Sequence, residues 1–162
     1  MRLDKFTIKA QEVLQATQQK AESLASAQME PEHLLYALIA QDNGLVVPLL
    51  KKLGISIDAL RSELEQRFSS QSKVQGTRPA LSPRLDSIFR QAEKEADHFK
   101  DEYISTEHLL LSLTSSEDPA GKLLLRQGAD KAGILKVLAS IRGSQRVTDP
   151  NAEDKYQALK RY

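Results

Sequence analysis

Cysteine and tryptophan are both absent from the 162 residues. Without thiols there is no disulfide framework, no thiolate metal centre and no cysteine nucleophile, a composition that fits a reducing compartment. Net charge is also scarce. Lys+Arg 23 against Asp+Glu 22 leaves +1, so no global field draws the chain toward nucleic acid or an anionic membrane. The basic pairs Lys51-Lys52 and Lys160-Arg161 have acids nearby, and basic residues are not interleaved with the few aromatics, 5% of the chain, as on a nucleic-acid surface. Met1-Arg2-Leu3-Asp4-Lys5-Phe6 contains no apolar run that would serve as a signal peptide. No stretch approaches the ~20 apolar residues of a membrane span. The expectation is a soluble, cytoplasmic protein with neither nucleic acid nor membrane as partner.

Catalytic templates are missing as well. Gly121-Lys122 resembles the end of a phosphate loop, but Ser116 stands where the loop needs its first glycine, and Leu123 where a Ser or Thr would bind magnesium. His33 and His108 each follow a glutamate, the reverse of the metalloprotease order, and neither has a second histidine one turn away. His98 is isolated. The histidines are expected on helix surfaces or at helix edges. The chain is expected to have no catalytic residue, metal site or cofactor of its own.

What is present is a repetition. Glu32-His33-Leu34-Leu35 recurs as Glu107-His108-Leu109-Leu110, 75 positions later. At the same offset Thr7 falls on Ser82, Val13 on Ile88, Leu14 on Phe89, Ala21 on Ala96, Met29 on Ile104 and Leu38 on Leu113. Past a one-residue deletion the offset becomes 74, and Leu50, Gly54 and Leu64 meet Leu124, Gly128 and Leu138. A register held over this length, apolar on apolar and cap on cap, marks an internal duplication.

Each half reads as four helices. In the first, Thr7 is an N-cap, and Ala10, Val13, Leu14, Thr17, Ala21 and Leu24 recur at three- and four-residue steps. Pro31 opens a short helix carrying Leu34, Leu35, Leu38 and Ile39. Residues 45–53 form a third helix ended by Gly54, and Asp58 is expected to cap a fourth bearing Leu60, Leu64 and Phe68. In the second half, Ser82 and Pro83 start a helix whose stripe is Leu85, Ile88, Phe89, Ala92, Ala96 and Phe99. Ser105 caps the next, Pro119 opens a third that ends at Gly128, and Asp130 caps a fourth. Sustained two-residue alternation is lacking, so no strand is expected. A unit of about 65 residues could hardly bury its apolar faces alone. The expected fold is therefore all-α, with two pseudo-twofold-related four-helix repeats sharing one core. The boundaries are repeat one 1–68, connector 69–80, repeat two 81–142, and a linker 143–162. In that linker Tyr156 and Leu159 face a partner not evident in this chain, and the whole reads as cut from something longer.

Glu32 and Glu107 lie in the first turns of the short repeated helices, where the helix dipole favours a carboxylate by typically 0.3–1 kcal/mol. Asp101-Glu102 reads as a solvated loop. On residues alone the chain is a non-catalytic binding module.

Phe6-Thr7 at a helix start, the segments Glu30-Pro31-Glu32-His33-Leu34-Leu35-Tyr36-Ala37-Leu38 and Ser105-Thr106-Glu107-His108-Leu109-Leu110-Leu111-Ser112-Leu113, and Gly54 with Gly128 resemble the double Clp repeat domain. That domain stands at the N-terminus of Clp-type AAA+ unfoldases. The connector Lys73-Val74-Gln75-Gly76 and the tail from Ala152 to Tyr162 are similar to those of the ClpB-type disaggregases. The resemblance implies a parent that is a homohexameric ring driven by ATP and magnesium, with its ATPase modules outside this chain. This part would be a monomeric appendage that captures unfolded or aggregated polypeptide. The alternative role in the family is docking of adaptor proteins. The substrate-handling surface in the family is apolar, beside the repeat interface, with polar residues at its rim. By position, the resemblance puts Thr7, Asp101 and Glu107 on that rim as substrate-binding residues. Leu14, Phe89 and Leu109 could belong to the groove or to the core.

Overall fold

The computed structural model describes residues 2–74, 78–143 and 145–161, the side chains of 157–161 excepted. Gln75 and Gly76 of the connector motif, and the side chain of Leu159, lie outside the described residues. A 3-10 turn at Leu3–Lys5 leads into α1 (Ile8–Ser23), β1 (Gln28–Met29), α2 (Pro31–Ala40), α3 (Val46–Lys52) and α4 (Ile57–Ser69). The second half runs β2 (Ala80–Leu81), α5 (Pro83–His98), α6 (Thr106–Ser115), α7 (Pro119–Arg126) and α8 (Lys131–Arg142), followed by α9 (Ala152–Arg161).

The helix starts are set by their caps. Thr7 Oγ1 accepts from the Ala10 amide at 3.2 Å, Ser82 Oγ from Leu85 at 3.0 Å and Asp130 Oδ1 from Gly133 at 2.7 Å. Each satisfies an amide that the first turn leaves without a helical partner. Gly54 (φ 79) and Gly128 (φ 103) close α3 and α7 in left-handed backbone, where a side chain would be strained. One cap differs from expectation. Ser56, not Asp58, caps α4, its Oγ accepting from Ala59 at 3.2 Å. The helix starts ahead of Asp58, which pairs instead with Arg61 at 3.0 Å inside the first turn.

The halves are images of each other. α1 lies along α2 as α5 lies along α6, and α2 and α6 meet at the centre of a single hydrophobic core. Leu34, Leu35, Leu109 and Leu110 are fully buried there. The pseudo-twofold is visible in single bonds. β1 pairs in parallel with β2, Met29 opposite Leu81, and the isolated bridge Phe6–Ile104 is the same contact with the repeats exchanged. The Thr7 amide donates to Ile104 O at 2.9 Å, and its mate Ser82 donates to Met29 O at 3.2 Å. Ala25 (φ 52) and Lys100 (φ 59), 75 positions apart, make the same left-handed turn. These two-residue pairings differ from the strand-free expectation, since a strand this short carries no periodicity to detect. Gly121, the phosphate-loop look-alike, marks a close helix crossing, where an added Cβ would collide with the Leu113 carbonyl.

His33 and His108 correct another expectation, being completely buried rather than at helix surfaces. Each Nδ1 accepts the amide of the residue before its helix, Glu30 at 2.9 Å and Ser105 at 2.8 Å. The imidazole takes the place of the glutamate in a capping box. Each ring therefore folds back into the core beside its own helix start. His33 stacks on Phe68, with centroids 5.2 Å apart.

The tail differs most. The pattern of residues 143–162 predicts a linker whose partner is not evident in this chain, yet Val147, Ala152 and Tyr156 are buried against the two repeats, Tyr156 with 1% of its surface exposed. The partner that Tyr156 lacks in the sequence is the body of this same chain.

Burial, and secondarily the charge of Lys20, push the His33 pKa from 6.5 down to about 4. His108 is also lowered by burial, against the opposing pull of Asp101. A lowered histidine is neutral in the fold and charges more readily when unfolded, so its contribution is present above about 6.5 and lost as pH falls through the folded value. For His33 this amounts to roughly 3 kcal/mol. Urea unfolding should show stability falling between pH 6.5 and 4, and His33→Asn should be less stable at pH 7 with a flatter acid limb. An unchanged limb in His33→Asn would contradict this assignment.

Candidate functional site

Two features stand out: an open apolar groove and a buried polar cluster. The groove, about 480 Å3, runs between α1 and the β1–β2 pair, with Leu14, Met29, Leu81 and Phe89 among its lining. It exists because α1 turns two kinds of residue away from the core. Ala10, Val13, Thr17 and Ala21 are buried, while Gln11, Leu14 and Gln18 are half-buried and Ile8 and Gln15 exposed on the adjoining face. Leu3 is 57% exposed, Ile8 44% and Leu81 37%, and all three line this groove. The open positions resolve accordingly. Leu14 lines the groove, Phe89 lies in the core with one side toward the groove, and Leu109 is core alone.

The polar cluster sits under the tail. Glu153 Oε2 accepts from Thr7 Oγ1 at 2.8 Å, the Thr106 amide at 3.1 Å and Thr106 Oγ1 at 3.4 Å. The Ile8 amide donates to Pro150 O at 2.8 Å, and the Glu102 amide to Val147 O at 2.7 Å. Asp101 Oδ1 accepts from Arg142 Nη2 at 2.7 Å and the Val147 amide at 2.9 Å, and its Oδ2 lies 2.7 Å from His108 Nε2. Because His108 Nδ1 is occupied as an acceptor, the ring proton is on Nε2 and donates to Asp101. Arg142 also lies over the rings of Phe99 and Tyr156, at 5.2 and 5.4 Å.

Thr7, Asp101 and Glu107 thus stand elsewhere than expected. The resemblance puts them on the rim of a groove; all three are buried, and Thr7 and Asp101 bond directly to the segment that leaves the domain. The loop acid Asp101 is not solvated, because the tail and Arg142 close over it. Sequence reasoning missed Arg142, Val147 and Glu153. Val147, an apolar residue in a polar stretch, is the one local sign.

The electrostatics divide the acids. Burial raises the Asp101 pKa, but hydrogen bonds from His108, Arg142 and the Val147 amide outweigh it and hold the group at about 2. Glu107 goes the other way. Its oxygens have no hydrogen-bond partner among the described residues, and burial, then the neighbouring Glu153 charge, push it well up, with Arg142 opposing and Asp101 and Tyr156 nearby. Burial raises Glu153 too. Burial and the adjacent Glu153 charge thus favour the neutral form of the Glu107 carboxyl.

A carboxyl with a raised pKa stabilises fully below its unfolded value near 4.5, and that contribution fades as pH climbs through the folded value. The tail should loosen with rising pH. Exchange protection factors of the Ile8 and Glu102 amides should fall on going alkaline while those of α2 hold, and Glu107→Gln should remove the trend. Equal slopes for tail-bonded and α2 amides in both proteins would refute this.

Among the described residues no helix is long and apolar enough to cross a membrane. The family model of the Clp repeat (R) N-terminal domain matches residues 5–127. Chaperone protein ClpB of Rhodopirellula baltica is 38% identical over 162 residues, 99% of this chain and 18% of the relative. Chaperone protein ClpB 2 of Nostoc sp. is 40% identical over 162 residues, 98% of this chain and 18% of the relative. The chain thus spans about a fifth of the length of the curated relatives it matches. Among solved structures, the Hsp104 N-terminal domain from Candida albicans matches with TM-score 0.80 at 20% identity, over 92% of this chain and 99% of that one. A complex of the ClpV N-domain with VipB peptide matches with TM-score 0.71 at 19% identity, over 90% and 91%. At those identities the likeness is one of fold. The duplicated register, the shared core and these matches agree: the chain belongs to the Clp repeat N-terminal domain family, with relatives in the ClpB chaperones.

Proposed function

We propose that this domain captures unfolded or aggregated polypeptide for an ATP-dependent disaggregase and hands it to a ring of ATPase modules beyond this chain. The observation that carries the reading is the convergence of Leu3, Ile8 and Leu81 on one groove. Exposed apolar side chains are otherwise scattered, and a contiguous concave set marks a binding surface. A groove of this kind receives many sequences, but a disordered ligand loses chain entropy on ordering, so affinity stays low. Low affinity suits a domain that must release its cargo. In this reading the domain is itself non-catalytic and monomeric, acts in the cytoplasm, and serves a homohexamer whose other modules bind ATP and magnesium.

Thr7, Asp101 and Glu107 enter the reading through the tail. Thr7 and Asp101 hold the direction in which the chain leaves the domain by direct bonds, Glu107 lies beneath the same segment, and together they set the position of the groove relative to the ATPase ring. Docking of an adaptor protein is the second reading, supported by the ClpV N-domain of like fold that holds a VipB peptide.

Titration of a permanently unfolded polypeptide into the 162-residue chain should give micromolar or weaker binding. Ile8→Ser and Leu81→Ser should each weaken it about tenfold, the loss of one apolar contact of roughly 1.4 kcal/mol. Tight binding to a folded partner, with none to unfolded chains, would favour adaptor docking. In the full-length protein, Thr7→Ala, Asp101→Ala and Glu107→Ala should lower disaggregation while leaving polypeptide binding by the domain intact. Glu32→Ala, the repeat mate of Glu107, should leave disaggregation near its starting level. Equal losses from Glu32→Ala and Glu107→Ala, in step with melting point, would mean that these acids serve stability alone.

A further inference from the structure

The duplication has made the groove twice. A second hollow, about 300 Å3, lies beside the first and shares Leu81 and Phe89 as a common wall. Apart from Arg2 and Lys5, its other positions are repeat mates of the first. Ile104 replaces Met29 on the floor, and along α5 Asp86, Arg90 and Glu93 stand where α1 has Gln11, Gln15 and Gln18, each 75 residues on. The geometry is duplicated and the chemistry of the rim is not. In the second hollow the charges bind one another. Arg90 pairs with Asp86 at 3.0 Å along α5, and Lys5 reaches from the N-terminal segment to Glu93 at 3.0 Å. The first has a single charged lining residue, Glu12, held by Gln41 at 3.3 Å and Lys9 at 4.0 Å; among the described residues Gln15 is exposed and has no partner, while Gln11 Nε2 donates to Phe6 O at 3.0 Å and Gln18 Nε2 to Glu22 at 3.1 Å, which leaves the amide oxygens of these two to accept.

We propose that Gln11, Gln15 and Gln18 determine specificity, making the first groove the receptor for uncharged apolar polypeptide segments, while Asp86, Arg90 and Glu93 exclude such segments from its twin. This rests on the capture reading above and names its substrate class. A primary amide can donate to a carbonyl or accept from an N–H of a bound main chain, so it satisfies an extended segment in either direction. It bears no charge that must be stripped of water when an apolar side chain arrives. At the second rim an entering segment must separate Lys5 from Glu93 or Arg90 from Asp86 and desolvate the ions, with no charge of its own in return. The rim thus rejects by an unfavourable term where the floor alone would accept.

The test reads methyl NMR shifts of Leu14 and Met29, which line only the first groove, and of Ile104, which lines only the second. The probe is an end-capped, uncharged peptide alternating Leu and Ser. In the unaltered chain Leu14 and Met29 should shift and Ile104 should not. The transplant Gln11→Asp/Gln15→Arg/Gln18→Glu should weaken binding at least tenfold with helical signal retained. The reverse change, Asp86→Gln/Arg90→Gln/Glu93→Gln, should make Ile104 respond at the same peptide concentration, and it decides the matter if the transplant fails to fold. Binding within twofold of the unaltered chain in a folded transplant, an Ile104 methyl that stays silent in the reverse variant, or Ile104 shifting alongside Met29 in the unaltered chain would overturn the rim assignment and leave capture standing. No shift anywhere at millimolar peptide would overturn capture, and this assignment with it.

Discussion

Two ten-residue helices, α2 and α6, set the terms for everything around them, because each is buried nearly all round, polar start included. Eight residues of each are buried, and among them are Glu32 and His33 in one and Glu107 and His108 in the other. The leucines supply the apolar gain, but a helix whose first turn is buried brings carboxylates and imidazoles with it. Those groups must be paired, neutralised or capped. The histidines are answered locally, by accepting an amide at the helix start. The glutamates need help from afar. Glu32 receives Arg84 from α5 at 2.9 Å, which also holds Asp118 at 2.7 Å, with Arg67 at 3.9 Å. Among the described residues Glu107 has no cation in contact; burial favours its neutral form, and it lies beneath the tail. The same motif is thus accommodated by charge pairing in one half and by neutralisation in the other.

That divergence is spread along the whole molecule. Asp101, which anchors His108, Arg142 and Val147, has Ser26 as its mate, and His33 accordingly stacks on Phe68 rather than donating to a carboxylate. The skeleton is twofold: the parallel bridges, the left-handed turns and the glycine caps all exchange. The side chains that decide charge and access are not. Duplication first supplies the mutual burial that neither half can achieve alone. Once the core is shared, positions on its surface are free to differ.

This explains which parts of the chain are readable in advance. Helix starts at Thr7, Ser82 and Asp130, the ends at Gly54 and Gly128, and the buried leucines all depend on neighbours within a turn, and local pattern records them. The partners of buried polar groups do not. Arg84 meets Glu32 and Arg142 meets Asp101 across separations of 52 and 41 residues, where no period links them. Thr7 illustrates the gap. Its capping role is legible from position alone, while its bond to Glu153 spans 146 residues. The groove is legible in kind but not in membership, since Leu14 and Phe89 occupy matching positions in matching stripes. Only packing shows Leu14 half-buried in the first groove and Phe89 buried as part of the wall that both hollows share.

The tail docks at one of the two symmetry-related junctions between the repeats, and one reason is covalent. The Ile8 amide donates to Pro150 O, and Thr7 Oγ1 to Glu153. The repeat mate of Ile8 is Pro83, which has no amide hydrogen to offer. Proline costs nothing at a first helical position, where that hydrogen has no helical acceptor, so α5 forms as well as α1. It forms, however, without the donor that would bind an exit segment. The donor that α1 retains belongs to a residue whose side chain lines the groove. Ile8 therefore has its main chain on the tail and its side chain on the binding surface, and any shift of the first helical turn is felt at both. A pseudo-symmetric fold has in this way been given a direction: the groove and the exit share one turn of α1, and the matching turn of α5 lacks the donor for an exit segment.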